Sequence, residues 1–344
     1  MAIEPSRRAG LEIARLQAIL RTRFGIDPDE AELTSAAFGV VARHGTRTWI
    51  TSSSEASSVL GGVLVWAMRN SADEVDLIVE HNAGMHARRA RTLVPAWTVW
   101  RVDGSELERV DVEPLPTADP AIVGVEDIEA SIVSAGATVV HEARIVRAEV
   151  RGLEVGRVVH GADGPVLEAG VGRFDREAGA LLHPDRAPTA AIADVVAQVE
   201  PHRRAGAPPH PLNRLARGRW LRSLVLDDPA IAGVSRAVPV DPVPARHTLS
   251  DEAPGAAIGV DGDRVVLVVC STGVDLGLVP ETADLIDRHQ PDEVRVVMPR
   301  GDRLPSVEAL VSLLARPVVF VDIVPPWRSA AGSHTSGGDL DDAG

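Results

Sequence analysis

Arginine side chains are concentrated in one segment of the chain, residues 202–222. The segment HRRAGAPPHPLNRLARGRWLR contains six arginines and no acidic residue, although the whole chain carries a net charge of −14. Guanidinium groups hydrogen bond well to phosphate oxygens. The segment therefore predicts a groove for DNA or RNA, with Arg214, Arg217 and Arg219 contacting the nucleic-acid backbone. The alternative is an arginine-rich helix over residues 212–224 that packs on acidic neighbouring faces through ion pairs.

A second polar run, GVGRFDRE from Gly170 to Glu177, combines two glycines with four charged side chains. Glycines at alternate positions expose the backbone and permit the close approach of a ligand or of a neighbouring element. Arg173, Asp175, Arg176 and Glu177 are candidates for anion and metal contacts. The alternative is a bulge that leads to a salt-bridged strand end.

An apolar strand runs into a polar loop in the sequence VVLVVCSTGVD, residues 265–275. Ser271, Gly273 and Asp275 match positions of the Ser-Gly-Gly-x-Asp loop of PP-loop adenylating enzymes, which this strand, loop and helix resemble; Thr272 replaces the first glycine. The resemblance implies a phosphate-binding loop, and a helix N-terminus favours an anion. The alternative is an ordinary capped helix start. Cys270 ends the apolar strand and is predicted to be a core thiol.

The elements that must position the middle residues follow in the order helix, three strands, helix. Apolar residues recur at helical spacing over residues 125–135 and again over residues 188–200. Between them, residues 137–177 are rich in valine and are interrupted by glycine turns, which predicts three strands. A last strand is predicted over residues 235–240.

This order resembles the core of the PD-(D/E)xK nuclease-like family, in which carboxylates on the second and third strands bind a divalent metal. Glu154, in GLEVGRV, and Glu168, in VLEAGVGR, match the acidic positions. The resemblance implies that they bind Mg²⁺ or Mn²⁺ and activate water for phosphodiester hydrolysis. The family's lysine is missing, because Gly170 stands in its place and the chain contains no lysine. Arg173 could stabilise the transition state but could not act as a general base.

Two glutamates across a hairpin also have a structural explanation. Glu154 and Glu168 alternate with the apolar residues Val155 and Leu167. In this alternative they are solvent-side residues of half-exposed strands.

Composition excludes several classes of protein. The absence of lysine rules out Schiff-base chemistry and a P-loop lysine. The single cysteine, Cys270, rules out an intrachain disulfide and a cysteine-rich zinc site. No apolar run approaches the roughly 20 residues of a membrane span, and the first residues lack the apolar core of a signal peptide. We therefore expect a cytoplasmic protein without membrane contacts.

The two ends of the chain repeat one plan of elements. Hairpin, helix, strand, helix and strand are predicted over residues 37–102, after a leading helix at 8–24, and again over residues 256–323. A shift of 219 residues places Ser52 on Ser271 and Val99 on Val318. This agreement predicts an internal duplication, and the alternative is the coincidence of a common β-α-β plan. The ends of these units also resemble a protein family of GC-rich bacteria, which implies no mechanism.

These observations predict an α/β protein in which two related small α/β units flank a strand-rich, α+β, nuclease-like middle domain. The predicted domains are residues 1–118, 119–250 and 251–325, followed by a disordered tail at 326–344. The leading functional hypothesis is a nucleic-acid-associated protein, either a divergent metal-dependent nuclease or one that has lost catalysis. The alternative is a non-catalytic scaffold or nucleotide sensor that binds a small phosphate ligand at Ser271, Gly273 and Asp275.

Overall fold

The chain is a mixed α/β protein, as its sequence predicts. The computed structural model describes residues 5–55, 59–95, 97–104, 106–115, 122–142, 144–182, 186–243 and 254–327. These residues form two compact units. The described residues of the first unit lie within 1–121, 141–144 and 218–323, and those of the second unit lie within 122–140, 145–217 and 324–344.

The N-terminal half of the first unit is a six-stranded mixed sheet with three helices. Its elements are α1 (Pro5–Ile19), which continues into a π-helical turn (Leu20–Phe24), β1 (Glu32–Ala36), β2 (Gly39–His44), β3 (Arg47–Ser52), α2 (Val59–Arg69), β4 (Glu74–Val79), α3 (Ala83–Ala90), β5 (Thr98–Asp103) and β6 (Glu106–Arg109). The strand order is β1-β2-β3-β4-β5-β6. The pairs β3–β4 and β4–β5 are parallel and the others are antiparallel. The predicted helices, hairpin and strands are confirmed, and β1 and β6 are additional.

The second unit contains a four-stranded sheet and three helices. Its elements are α4 (Glu126–Ser134), β7 (Thr138–Glu142), β8 (Ile145–Val150), β9 (Leu153–Gly161), β10 (Gly164–Ala169), α5 (Gly172–Leu182) and α6 (Pro188–Val199). The strand order is β10-β9-β8-β7, and β8, β9 and β10 pair antiparallel. The prediction of three strands is wrong, because β7 and β8 are separate strands. Helix α5 begins where the sequence suggested a strand end.

The C-terminal half of the first unit is a five-stranded sheet with three helices. Its elements are α7 (Arg217–Asp227), a 3₁₀ turn (Pro229–Ala232), β11 (Arg236–Pro239), β12 (Gly255–Asp261), β13 (Arg264–Cys270), α8 (Leu278–His289), β14 (Glu293–Pro299), α9 (Pro305–Val311) and β15 (Val318–Ile323). Strand β11 pairs with β12, so it belongs to this sheet and not to the middle domain that was predicted to contain it. The observed units therefore group the chain differently from the three predicted domains.

The two halves of the first unit share one topology. In each half an antiparallel hairpin is followed by two strands in parallel pairing. The parallel pairs Thr51–Ile78 and Cys270–Val297 are related by the predicted shift of 219 residues, since 270 − 51 and 297 − 78 are equal. The pairing of β14 with β15 corresponds to that of β4 with β5, but under the same shift its register is offset by two residues. Descent from a duplicated ancestor stays a prediction.

One apolar core joins the two halves. Helices α2, α3, α8 and α9 bury aliphatic side chains in it together with one face of each sheet. Leu77 contributes to this core, whereas Ile78, the next residue of β4, packs with α1 on the opposite face of the sheet. Successive side chains of β4 therefore lie on opposite faces of the sheet, as expected for a strand that is covered on both faces.

Among the described residues, no helix is long and apolar enough to cross a membrane. The sequence PLPTADP at residues 114–120 is typical of a linker. Most of this segment and most of the predicted tail lie outside the described residues, which end at Trp327.

Candidate functional site

A cluster of charged side chains is buried in the second unit around Glu154. Its carboxylate accepts hydrogen bonds from Arg157 (Nε–Oε1, 2.6 Å), from Arg176 (Nη1–Oε1, 3.0 Å) and from Arg147 at Oε2. The Glu154 side chain is 0% exposed. Burial raises its pKa, but the hydrogen bond from Arg157 and the charges of the three arginines lower it more. The pKa therefore lies below its ordinary value, and Glu154 is ionised.

Neighbouring strands and one helix bring these residues together. The antiparallel register pairs Arg157 of β9 with Arg147 of β8 on one side and with Glu168 of β10 on the other. Arg176 comes from α5, which follows β10 after a short turn. Gly170 in that turn has φ +146°, and a Cβ atom there would lie 2.7 Å from the backbone nitrogen of Arg176. A side chain at this position would push α5 away from the strand.

A cavity of about 630 Å³ lies beside this cluster, between β10, α5 and α6. Its wall is formed mainly by aliphatic side chains of the second unit: Val166, Leu167, Ala169, Val171, Ala191, Val195, Val199 and Leu212. Glu168, Asp175, Arg176, Arg186 and Gln198 are the polar lining residues. Of these, Arg186 forms an ion pair with Asp194. The cavity is therefore largely apolar, with a charged side at Arg176.

Arg176 is buried with much of its hydrogen-bonding capacity unused. Its side chain has five N–H donors, and within the described residues it donates one hydrogen bond, to Glu154. Its Nε lies 3.8 Å from Oε2 of Glu168, an ion pair too long for a hydrogen bond. Burial and then the charge of Arg157 lower the pKa of Arg176, despite the opposing charges of Glu154 and Glu168.

The two glutamates that the sequence proposed as metal ligands meet at Arg176, but their geometry does not fit a metal. Both oxygens of Glu154 already accept hydrogen bonds from guanidinium groups. A divalent cation would face the positive charges of Arg147, Arg157 and Arg176 there. Among the residues that the structure describes, no group of three His, Cys, Asp or Glu side chains could hold a metal. Glu154 is also not the solvent-side residue of the alternative interpretation.

Arg173 does not join this cluster. It lies on the exposed surface of α5, 81% exposed, where its Nε donates to Glu177 four residues later (2.6 Å). The run from Gly170 to Glu177 is therefore the turn and first residues of a helix. Gly170 permits the close approach of a neighbouring element, and that element is α5 itself.

Four arginines of the segment 202–222 are engaged within the protein. Arg203 is buried and donates to the carbonyl oxygens of Arg151, Leu212 and Leu215. Arg217 donates to Asn213 and lies 4.8 Å from the ring of Trp327. Arg219 and Arg222 share the buried carboxylate of Glu142. Arg204 and Arg214 are exposed, so most of the predicted groove consists of ion pairs and carbonyl contacts.

Carboxylates face the loop that was predicted to bind phosphate. The backbone N–H of Gly273 donates to Asp302 (3.0 Å), and that of Gly277 donates to Asp275 (2.8 Å). The hydroxyl of Ser271 lies 3.4 Å from Asp275. A phosphate group would have to displace these two negative charges, so the geometry favours the alternative of an ordinary helix start, although the N-cap residue Gly277 has no side chain to cap it.

Sequence reasoning missed Arg147 and Arg157 and named Arg176 only as one member of a charged run. The available signal was their position, because Arg147 and Arg157 interrupt valine-rich strands at sites where a buried side chain is expected. A buried arginine requires a carboxylate or carbonyl partner.

Comparison of the chain with protein-family models, with curated proteins and with solved structures finds no match. The case for this site therefore rests on the geometry of its own residues.

Proposed function

We propose that the second unit is a binding module for a small, largely apolar organic molecule, which occupies the cavity between β10, α5 and α6. The observation that carries this proposal is the cavity itself. Its volume of about 630 Å³ lies within the range of ligand pockets, and aliphatic side chains from two helices and a strand surround it. The lining residue Val166 is 44% exposed, so the cavity is open to solvent and a ligand can enter it.

Binding is favoured over catalysis by the chemistry of the wall. Among the described residues that line the cavity, none carries a hydroxyl, thiol or imidazole group. Nucleophilic catalysis and general base catalysis near neutral pH use such groups most often. The charged lining residues Arg176 and Arg186 are held in ion pairs.

The test is binding of the neutral fluorophore N-phenyl-1-naphthylamine, whose emission rises in apolar surroundings. We expect the wild type to bind it with one saturable site. Ala191→Phe, which fills the cavity from α6, should weaken binding at least tenfold. Ala197→Phe is the matched control, because Ala197 is exposed on the same helix and does not line the cavity. Absence of saturable binding by the wild type, or equal binding by both variants, would contradict the proposal.

Association with DNA or RNA is a second proposal, favoured by the exposure of Arg204 and Arg214 within an arginine-rich segment. Its test is salt-dependent binding of labelled DNA and RNA, with the double variant Arg204→Gln, Arg214→Gln. Each lost phosphate contact should reduce the salt slope by about 0.9 for duplex DNA. Equal slopes for the wild type and the variant would remove this segment as the binding surface. Cleavage that requires Mn²⁺ would return Glu154 and Glu168 to a catalytic role.

The proposal of a phosphate ligand at Ser271, Gly273 and Asp275 has a separate test. A mononucleotide that binds there should raise Tm, because a ligand of the folded state stabilises it. Asp302→Asn removes a competing charge and should strengthen such binding. If neither protein gains stability from the mononucleotide, this loop is an ordinary helix start and no more.

A further inference from the structure

The charged side of the cavity contains a guanidinium group with unused hydrogen-bond donors. Arg147, Arg157 and Arg176 all contact the carboxylate of Glu154, and Arg176 also faces Glu168. Among the other charged lining residues, Arg186 is paired with Asp194, and Asp175 is exposed. Buried N–H donors without acceptors are costly, and an anion that reaches a guanidinium group gains a charge-assisted hydrogen bond.

The residue that presents this charge to the cavity is Arg176. Its side chain is 6% exposed, and it lines the cavity with one hydrogen bond made within the described residues. A guanidinium group matches a carboxylate particularly well, because two parallel N–H groups can donate to its two oxygens. Glu168 does not satisfy this capacity, since its nearest oxygen is 3.8 Å from Nε and its side chain is 39% exposed.

Gly179 of α5 leaves space in the cavity wall near Arg176. Gly170 and Gly179 line the cavity on either side of it in sequence. Within the part of the chain that the structure describes, and apart from the backbone of α5 itself, the nearest atom to a Cβ at Gly179 would be the carbonyl oxygen of Ala169, 3.7 Å away. The α5 wall therefore has room for atoms of a ligand near the guanidinium group.

We propose that the ligand of this cavity is an amphipathic organic carboxylate, whose carboxylate group accepts hydrogen bonds from Arg176 and whose apolar body lies against Val166, Ala191 and Val195. This inference rests on the proposed function, because it assigns the chemical class of the molecule that the cavity binds. Glu168 competes with the ligand for Arg176 and turns toward solvent when the ligand binds.

The experiment compares three probes with the same ten-carbon chain: decanoate, decan-1-ol and decyltrimethylammonium. Each is titrated by displacement of N-phenyl-1-naphthylamine, below its micelle concentration. We expect decanoate to bind the wild type at least tenfold more tightly than decan-1-ol, with decyltrimethylammonium the weakest. Arg176→Gln should remove the advantage of decanoate and leave the binding of decan-1-ol within about twofold.

Two further variants separate ligand recognition from a structural role of the arginine. Glu168→Gln removes the competing anion, so we expect it to tighten decanoate severalfold without changing decan-1-ol. A purely structural cluster would not produce this gain. Arg151→Gln is the matched control for the loss of one positive charge, because Arg151 is exposed in the β8–β9 turn and lies outside the cavity wall. It should bind all three probes as the wild type does.

The outcomes distinguish the two proposals. Equal binding of decanoate and decan-1-ol by the wild type, with no effect of Glu168→Gln, overturns the assignment of a carboxylate and leaves a neutral apolar ligand. If no probe displaces the fluorophore and the fluorophore itself does not bind, the proposed function fails as well. If Arg176→Gln does not fold, the comparison of wild type with Glu168→Gln still decides the assignment.

Discussion

Leu93 and Leu314 occupy equivalent positions in the two halves of the first unit and form an antiparallel bridge with each other. Each lies three residues beyond a helix, α3 for Leu93 and α9 for Leu314. The flanking hydrogen bonds are also equivalent: Val94 N donates to Leu313 O (2.7 Å), and Ala315 N donates to Thr92 O (2.8 Å). Exchange of the halves converts one bond into the other. The halves therefore meet as the subunits of a two-fold dimer do, by self-complementary contacts.

Two arginines and one aspartate form buried ion pairs at the same interface, and removal of the aspartate should destabilise the first unit strongly. Nε of Arg88 and Nε of Arg89, on α3, lie 3.0 and 2.8 Å from the carboxylate oxygens of Asp284 on α8. All three side chains are buried. Asp284→Ala would leave two buried guanidinium groups without their carboxylate. We expect a loss of about 3–5 kcal/mol in the free energy of unfolding, measured by urea denaturation.

The control for this substitution lies on the same two helices. Arg91 of α3 pairs with Asp287 of α8, and the arginine side chain is 57% exposed. The Asp287 side chain is 12% exposed, but Asp287→Ala should still cost less than about 1 kcal/mol, because its arginine partner reaches solvent, which screens the pair. Similar losses for the two variants would mean that burial does not determine the contribution of these ion pairs.

Two adjacent glycines of α2 should respond oppositely to the same substitution. A Cβ atom at Gly61 would lie 2.0 Å from the carbonyl oxygen of Leu276, in the loop between β13 and α8. At Gly62 the nearest atom is Cδ1 of Phe38, at 3.4 Å. Gly61→Ala must separate α2 from that loop, and we expect a loss of about 2 kcal/mol or more. Gly62→Ala gains helix propensity, at most about 1 kcal/mol, and should be neutral or stabilising. Thermal unfolding of both variants tests this, and an equal effect would contradict it.

Apolar patterning explains which elements could be predicted from the sequence. The apolar runs of the sequence predict strands over residues 74–79 and 318–323, and β4 and β15 have these bounds. Strands β1 (ELTSA) and β6 (ELER) were missed, since they contain few apolar residues and are largely exposed. Helix α5 was missed because its sequence, GRFDREAGALL, begins with glycine and has Phe174 as the one large apolar side chain before its last two residues.

The candidate site was harder to predict, because it depends on partners that are distant in sequence. The sequence identified Glu154 and Glu168 as a pair, and they do converge. Their common neighbour is Arg176, which reaches Glu154 from 22 residues away through a helix that was not predicted. A carboxylate that binds a metal and one that binds arginines look alike in a sequence. Only the geometry distinguishes them.

The stability of the first unit should depend on the protonation of His86. This residue of α3 is buried, and burial, followed by the charge of Arg89, lowers its pKa from 6.5 to about 4. Between these values the unfolded chain binds a proton that the folded protein does not. The contribution of His86 to the free energy of unfolding is therefore complete above about pH 6.5 and is lost as the pH falls toward 4.

We expect the titration of His86 to lower the free energy of unfolding by about 2 kcal/mol between pH 7.5 and pH 5, as measured by urea unfolding. His86→Gln should reduce the pH dependence by that amount, because glutamine does not titrate. If the wild type and His86→Gln lose the same stability on acidification, other groups control the acid response.

The single cysteine, Cys270, should report the opening of the first unit. Its thiol is fully buried at the end of β13, and burial raises its pKa to about 12 although the charge of Arg222 opposes this. Thiolate is the reactive form, so in the folded protein at pH 8 we expect 5,5′-dithiobis(2-nitrobenzoate) to react at least about a thousandfold more slowly than in urea. Reaction then requires opening of the structure, and its rate follows the population of open molecules.

Asp284→Ala, if it costs about 3 kcal/mol, should accelerate labelling by roughly 150-fold, since about 1.4 kcal/mol corresponds to a factor of ten. Fast labelling of the wild type would show that the thiol is in contact with solvent. If Asp287→Ala accelerated labelling as much as Asp284→Ala does, the buried contacts of Asp284 would not control the opening.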